Sequence, residues 1–137
     1  MSTVNIAYRA SSTITIAPEN VASSATFTAG VESAVYDNSA NKDVDVLIAG
    51  TWTAGTTPTI NTQVLIYAFA IRDDAPFYPD VMDGTNSAET ITSAGVGQGF
   101  LKLAAVINVD ATTSNRVYDV GPFSVAQLFG GVCPPKF

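Results

Sequence analysis

Apolar and polar side chains alternate with a period of two along most of this chain, and that spacing constrains the fold more than any other feature. Val4, Ile6 and Tyr8 alternate with Thr3, Asn5 and Ala7, and the run Thr13-Ile14-Thr15-Ile16 repeats the pattern before Pro18 ends it. A repeat of two places the apolar set on one face of a strand, whereas a helix needs a repeat near 3.6. Residues 25–29 (ATFTA) and 32–36 (ESAVY) flank Gly30, which predicts a hairpin there. Residues 43–52 (DVDVLIAGTW) set Val44, Val46, Ile48 and Trp52 on one face, with Asp43 and Asp45 wetting the start of the other. After the linker AGTTPTIN, residues 62–72 (TQVLIYAFAIR) are apolar on both faces around 65–69, so this strand is expected to be central or covered twice.

The alternation breaks at residues 73–99, where DDAPFYPDVMDG precedes TNSAETITSAGVGQG. This stretch reads as a long irregular excursion with one short strand near 89–92, and long excursions in compact domains usually carry contacts. Strand patterning resumes at 100–109 (FLKLAAVINV) and again at 116–120, after the turn DATTSN. The segment 124–129 (SVAQLF) follows Gly-Pro and precedes Gly-Gly, which predicts one short helix with Ser124 at its cap. About eight or nine strands with closely spaced turns give an all-β expectation. The expected form is an antiparallel β-sandwich or jelly-roll-like barrel, with one long irregular loop and at most one short helix. The 137 residues are expected to form a single β-sandwich domain, 1–137.

Composition excludes several kinds of function. Hydrophobic residues make up 47% of the chain and charged ones only 13%, so Ser, Thr, Asn and Gln must wet much of the surface. Such a surface repels neighbouring subunits only weakly. The net charge is −6, and Arg9, Lys42, Arg72, Lys102, Arg116 and Lys136 are scattered, which leaves no basic footprint for nucleic acid. The longest apolar run, 64–71, is too short to cross a bilayer. The segment MSTVNIAYRA lacks the basic-then-apolar order of a signal peptide, and the single cysteine, Cys133, allows no internal disulfide. Synthesis in a reducing cytoplasm is the expectation.

The chain contains no histidine, which removes the Ser-His-Asp triad, the Cys-His dyad and imidazole metal ligands. With no nucleophile elbow or Walker loop either, no enzyme and no cofactor are expected. Asp73, Asp74, Asp80 and Asp83 form the densest chemical constellation. Carboxylates in a loop can bind Ca²⁺ through hard oxygens, but this spacing matches no EF-hand, and a solvated acidic loop is the expected reading. Gly95, Gly97 and Gly99 precede a strand, the reverse of a phosphate loop, and read as a flexible turn. Cys133 has no cationic neighbour in sequence and reads as a packed thiol. Tyr67, Phe69, Phe100, Phe123 and Phe129 fall on apolar faces and are expected in the core, whereas Phe77 and Tyr78 in the loop are expected at an exposed contact. The carboxyl end, Pro134-Pro135-Lys136-Phe137, stops where a strand would begin, so an edge open to another subunit is expected there. Phe77, Tyr78, Asp80 and Phe137 are therefore the expected partner contacts.

The stretches YPDVMDGTNSAETITSAG (78–95) and LAAVINVDATTSNRVYDVGPFSVAQLFGGVCPPKF (103–137) resemble small virion structural proteins of tailed bacteriophages, of the capsid decoration or cement type. The resemblance covers the second half of the chain best. It implies a β-structured protein on the outside of the phage head, assembled in the host cytoplasm, often trimeric, with the major capsid protein as partner. Similar proteins continue past the Pro-rich turn into further apolar strand, where this chain stops, which leaves a self-complete fold an open question of the resemblance. Two alternatives stand beside it: a tail, head-completion or fibre component, and a calcium-dependent glycan-binding β-sandwich using the acidic loop beside Phe77 and Tyr78.

Overall fold

Several period-two segments become strands that pair two by two, whereas residues 13–16, with the same alternation, form no strand. The computed structural model describes residues 9–16, 24–71 and 77–137. The strand expected at 4–8 lies outside the described residues, as do Asp73 and Asp74. Among the described residues the chain is mostly β, with small antiparallel sheets. β1 (Ala29–Glu32) is followed by β2 (Leu47–Thr53), β3 (Thr62–Ala68), β4 (Ser87–Thr90), α1 (Ala94–Phe100), β5 (Lys102–Val109), β6 (Val117–Ser124) and α2 (Val125–Leu128). β1 pairs with β4, β2 with β6 and β3 with β5.

Several expectations are corrected. Six strands stand among the described residues. Gly30 is not a hairpin turn: it is extended within β1, opposite Glu89. Residues 34–36 cannot fold back on β1, because their amides are already engaged. Ala34 N–H donates to the Thr15 carbonyl at 2.9 Å, Val35 N–H to Gly84 at 3.2 Å and Tyr36 N–H to Phe137 at 2.8 Å.

Two helices replace the one expected. α2 forms as read, with the Ser124 hydroxyl accepting from Gln127 N–H at 3.1 Å. α1 arises from the stretch read as a flexible Gly turn. Three glycines weaken a helix, but Ser93 caps this one by accepting from Val96 N–H at 3.2 Å. Close packing needs the missing side chain at Gly97, where a Cβ would lie 2.6 Å from Ile91 Cδ1 and 3.2 Å from Leu101 Cδ1.

β3 also departs from expectation, since its two faces differ. The register sets Thr62, Val64 and Ile66 opposite Val109, Ile107 and Ala105, and Ile107 and Val109 are buried on that side. On the other side Leu65 faces Val106, and a bulge after Ile66 brings Leu103 opposite Tyr67. That second side is covered only in part: Tyr67, Leu103 and Val106 are all exposed.

The buried centre is thin. Val125, Ala126 and Cys133 form its cluster, with Val46, Ile48, Phe129 and Phe137 packed around it. Among the described residues Ala54, Ile91, Ile107 and Val109 are buried as well. In β6, Gly121 takes φ +76° beneath β2, where a Cβ would collide with the Ile48 carbonyl oxygen, so only glycine fits. At the far end of this ribbon, Tyr118 stacks on Trp52 at 5.7 Å and donates to Asp110 at 2.9 Å, and Arg116 lies over its ring at 5.6 Å. No helix of the described residues is long and apolar enough to cross a membrane.

Candidate functional site

The acidic excursion folds as a tethered loop. Pro79 is fully buried, which anchors the segment between Tyr78 and Asp80. The Asp80 carboxylate reaches across to Thr92, accepting its N–H at 2.8 Å and its hydroxyl at 2.6 Å. Asp83 closes its own turn by accepting from Thr85 N–H at 2.8 Å and from the Thr85 hydroxyl at 2.6 Å. These bonds, the hydroxyl first, hold both carboxyls below the ordinary aspartate range. Gly84 sits at φ +79° against the Tyr78 ring, so close that any Cβ there would strike the phenol. Tyr78 is thereby half-buried, while Phe77 beside it is exposed.

Glu32 is the residue that sequence reasoning missed. It is buried at the end of β1 and accepts from Asp83 N–H at 3.1 Å and Gly84 N–H at 2.8 Å. Burial pushes its carboxyl above the usual range; the two backbone bonds oppose that shift and the charges of Asp83 and Glu89 add to it. Carboxylate oxygens of Glu32, Asp83 and Glu89 lie within 4.8 Å of one another. Their hydrogen bonds account for the cluster as a loop tether, with Glu89 accepting from the Ser87 hydroxyl at 2.7 Å. An inward Glu on a four-residue strand carries no sequence signal of its own. Asp80 and Asp83 are thus placed in one loop but serve different bonds.

The carboxyl tail is engaged inside the chain. Phe137 and Tyr36 exchange backbone bonds, Asn38 N–H donates to the Pro135 carbonyl at 2.6 Å, and Ile71 N–H to Lys136 at 3.4 Å. Lys136 pairs with Asp37 at 3.2 Å, and the Phe137 ring rests 5.2 Å from Tyr36. The edge expected to be open at 134–137 is therefore bridged to 36–38 and takes one further bond from Ile71, and Phe137, expected at a partner contact, packs against the buried cluster. Asn38 fixes the neighbouring turn, its side chain bonding Asp43 N–H at 2.8 Å and the Asp43 carbonyl at 3.0 Å. Beside it lies an open hollow of about 540 Å³ lined by Lys42, Val44, Val132 and Cys133, among others. Burial pushes the Cys133 thiol up, with Asp45 and Asp43 adding to the effect, so it is not an activated nucleophile.

A further partly covered apolar surface is the outer side of the β3–β5 ribbon. At one end Gln63 donates to Asn108 at 2.9 Å. From there Leu65, Val106, Tyr67 and Leu103 run toward α1, with Leu103 49% exposed. A groove of about 290 Å³ opens at that end, walled by Phe27, α1 and Leu101. Phe27 is 56% exposed and holds φ +54°, a left-handed conformation that a bulky residue adopts at a cost. Two bonds close its turn: Phe27 N–H donates to the Ser24 carbonyl at 3.3 Å and Thr28 N–H to the Ser24 hydroxyl at 3.1 Å. Neither Phe27 nor the exposure of Tyr67 and Leu103 was legible in sequence, because one face of a doubly apolar strand looks like the other.

Comparison of the chain with protein families, with curated proteins and with solved structures found no match.

Proposed function

We propose that this chain is a structural protein of a phage virion, of the capsid decoration type, which binds the outer shell and stabilises capsomer contacts without catalysis. The carrying observation is apolar surface left in water around a thin core. Val44 is 85% exposed, and Leu47, Val117, Val132, Phe77 and Phe27 are exposed with it. A contiguous exposed apolar patch marks a contact surface, and Val44 and Val132 line one open hollow together. Symmetry multiplies modest contacts into a strong clamp, which is how a small β domain without chemistry would hold a shell together. The phage shell as partner, the major capsid protein as the surface bound, and a trimer as the assembling unit rest on the resemblance of residues 78–95 and 103–137. In this reading the three ribbons belong to a sandwich of jelly-roll type, assembled in the host cytoplasm and finished in the virion.

The test is mass spectrometry and electron microscopy of particles from the phage that encodes the chain. Decoration requires the chain on the head exterior at a fixed multiple of the shell symmetry, and heads stripped of it should open at lower temperature. A few copies per particle would place it in the tail, the neck or a fibre instead. Absence from particles would remove the virion reading. A second reading, a calcium-dependent glycan-binding β-domain, is favoured only by the nearness of the Glu32, Asp83 and Glu89 carboxylates. Calorimetric silence toward both Ca²⁺ and glycans would remove it.

A further inference from the structure

We infer that the hollow beside the carboxyl tail is where this chain holds its partner. Its occupant is an apolar side chain flanked by a carboxylate, both carried on a segment of the partner protein. The inference rests on the reading of the chain as an assembly protein and names the contact surface and the chemistry it selects. The first observation is convergence. Val44 at 85% and Val132 at 71% are the most exposed large apolar side chains among the described residues, and both line this one hollow. Pro135 and the buried Cys133 line it with them. The turn that carries Val44 is already fixed. Asn38 is buried and bonds both backbone groups of Asp43, and Lys42 N–H donates to the Asn38 carbonyl at 2.8 Å. A preformed surface loses little freedom when a partner arrives.

The second observation is charge. The chain carries −6, yet in and beside these walls three cations (Arg9, Lys42 and Lys136) meet three acids (Asp37, Asp43 and Asp45). Each of those acids is engaged. Asp37 accepts from Ser39 N–H at 2.9 Å and pairs with Lys136 at 3.2 Å. Asp43 accepts from the Tyr36 hydroxyl at 3.3 Å and lies 3.9 Å from Arg9, and Asp45 is bonded to Ser124 and Ala126. Lys42, which lines the hollow itself, pairs with no acid among the described residues. Beyond about 8 Å salt screens the remaining charge of the chain. An incoming carboxylate therefore meets one uncommitted cation beside an apolar surface, where a charge pair is stronger than in open water.

The third observation is shape. At about 540 Å³ the hollow has room for more than one side chain, but it is open to solvent. A free small molecule is held by burying most of its own surface, about 70–90%, which an open hollow does not provide. Side chains borne on a partner chain need no such enclosure, because the rest of the interface covers them.

Nuclear magnetic resonance titration of the whole chain with two probe peptides tests this. The probes are acetyl-Leu-Asp-Leu-amide and acetyl-Leu-Lys-Leu-amide. In the wild type the acidic peptide should shift the amides of Lys42, Val44 and Val132 and bind about fivefold more tightly than the basic one, the scale of one exposed charge pair. Lys42→Gly deletes the cation and relieves a left-handed backbone at φ +54°, so it should fold and bind both peptides alike. Lys42→Glu should reverse the preference. No shift at these amides with either peptide, equal binding by the wild type, or a preference that survives both variants overturns the inference. Binding to stripped heads separates the two proposals. Heads that ignore the wild type while the peptide preference holds sink only the decoration reading. Heads that bind wild type and Lys42→Glu alike sink only the hollow as the contact.

Discussion

The corner around α2 and the outer side of the β3–β5 ribbon are built from similar residues and end in opposite states. In the corner, Val125 is fully buried and Asp45 ties the helix down, accepting from Ala126 N–H at 2.9 Å and from the Ser124 hydroxyl at 2.7 Å. The tail residues 135–137 close over it by pairing with 36–38. On the β3–β5 ribbon Leu103, Val106 and Tyr67 stand exposed beside a neutral groove. The difference is one of cover: the corner has a fully buried centre, with Val44, Leu47 and Val132 exposed at its rim, whereas the outer side of the ribbon has no buried centre of its own. What separates them is the set of polar bonds that closes the corner, which the ribbon's outer side lacks.

The sharpest way to break that comparison is at Gly121. Gly121→Ala forces a Cβ toward the Ile48 carbonyl at φ +76° and should destabilise the chain by about 3 kcal/mol or more, read from urea unfolding. Val125→Ala removes two methyl groups from the fully buried position and should cost about 2 kcal/mol. On the open side, Leu103→Thr should change stability by less than about 1 kcal/mol, since the leucine is already half in water. If Leu103→Thr costs as much as Val125→Ala, the outer side is packed and the contrast fails.

A smaller effect sharpens the contrast through pH. Partial burial works to raise the Asp45 carboxyl, but the bonds from Ala126, Ser124 and Val46 outweigh it and hold the carboxyl low. The stability it contributes is present above the ordinary aspartate range and is lost as pH falls through its folded value. Glu32 has the opposite sign. With its folded value raised by burial, stability is fully present below the ordinary glutamate range and is lost as pH rises through the folded value. Melting temperatures across pH should therefore lose part of their acid limb in Asp45→Asn. They should lose the decline just above the glutamate range in Glu32→Gln. Identical profiles for wild type and both variants would show that neither carboxylate is coupled to folding.

What was legible in sequence follows from which forces act locally. The period of two located β2, β3, β5 and β6, because burial of alternate residues is written directly into the order of side chains. The Ser124 cap was legible for the same reason, since a cap acts within three residues. The partner of β1 was not: Gly30 looks like a turn until Glu89, far along the chain, pairs with it. α1 was hidden by its glycines, whose use is the approach of Ile91 to Gly97 rather than flexibility. At the candidate site, Phe77, Tyr78, Asp80 and Asp83 were visible as a cluster of unusual residues. Glu32 and Phe27 were not, since their roles come from burial in one case and backbone conformation in the other.

The burial of the single cysteine, Cys133, beside the open hollow makes the chain its own recorder of motion. A thiol reagent reaches that sulfur fully when the corner around it loosens or the chain unfolds. The labelling rate, set against the rate for an unfolded chain, then measures how often the corner opens. A subunit that opens freely in solution and slowly in an assembly would register assembly as a lengthened half-life of one thiol, with no label added and no residue changed.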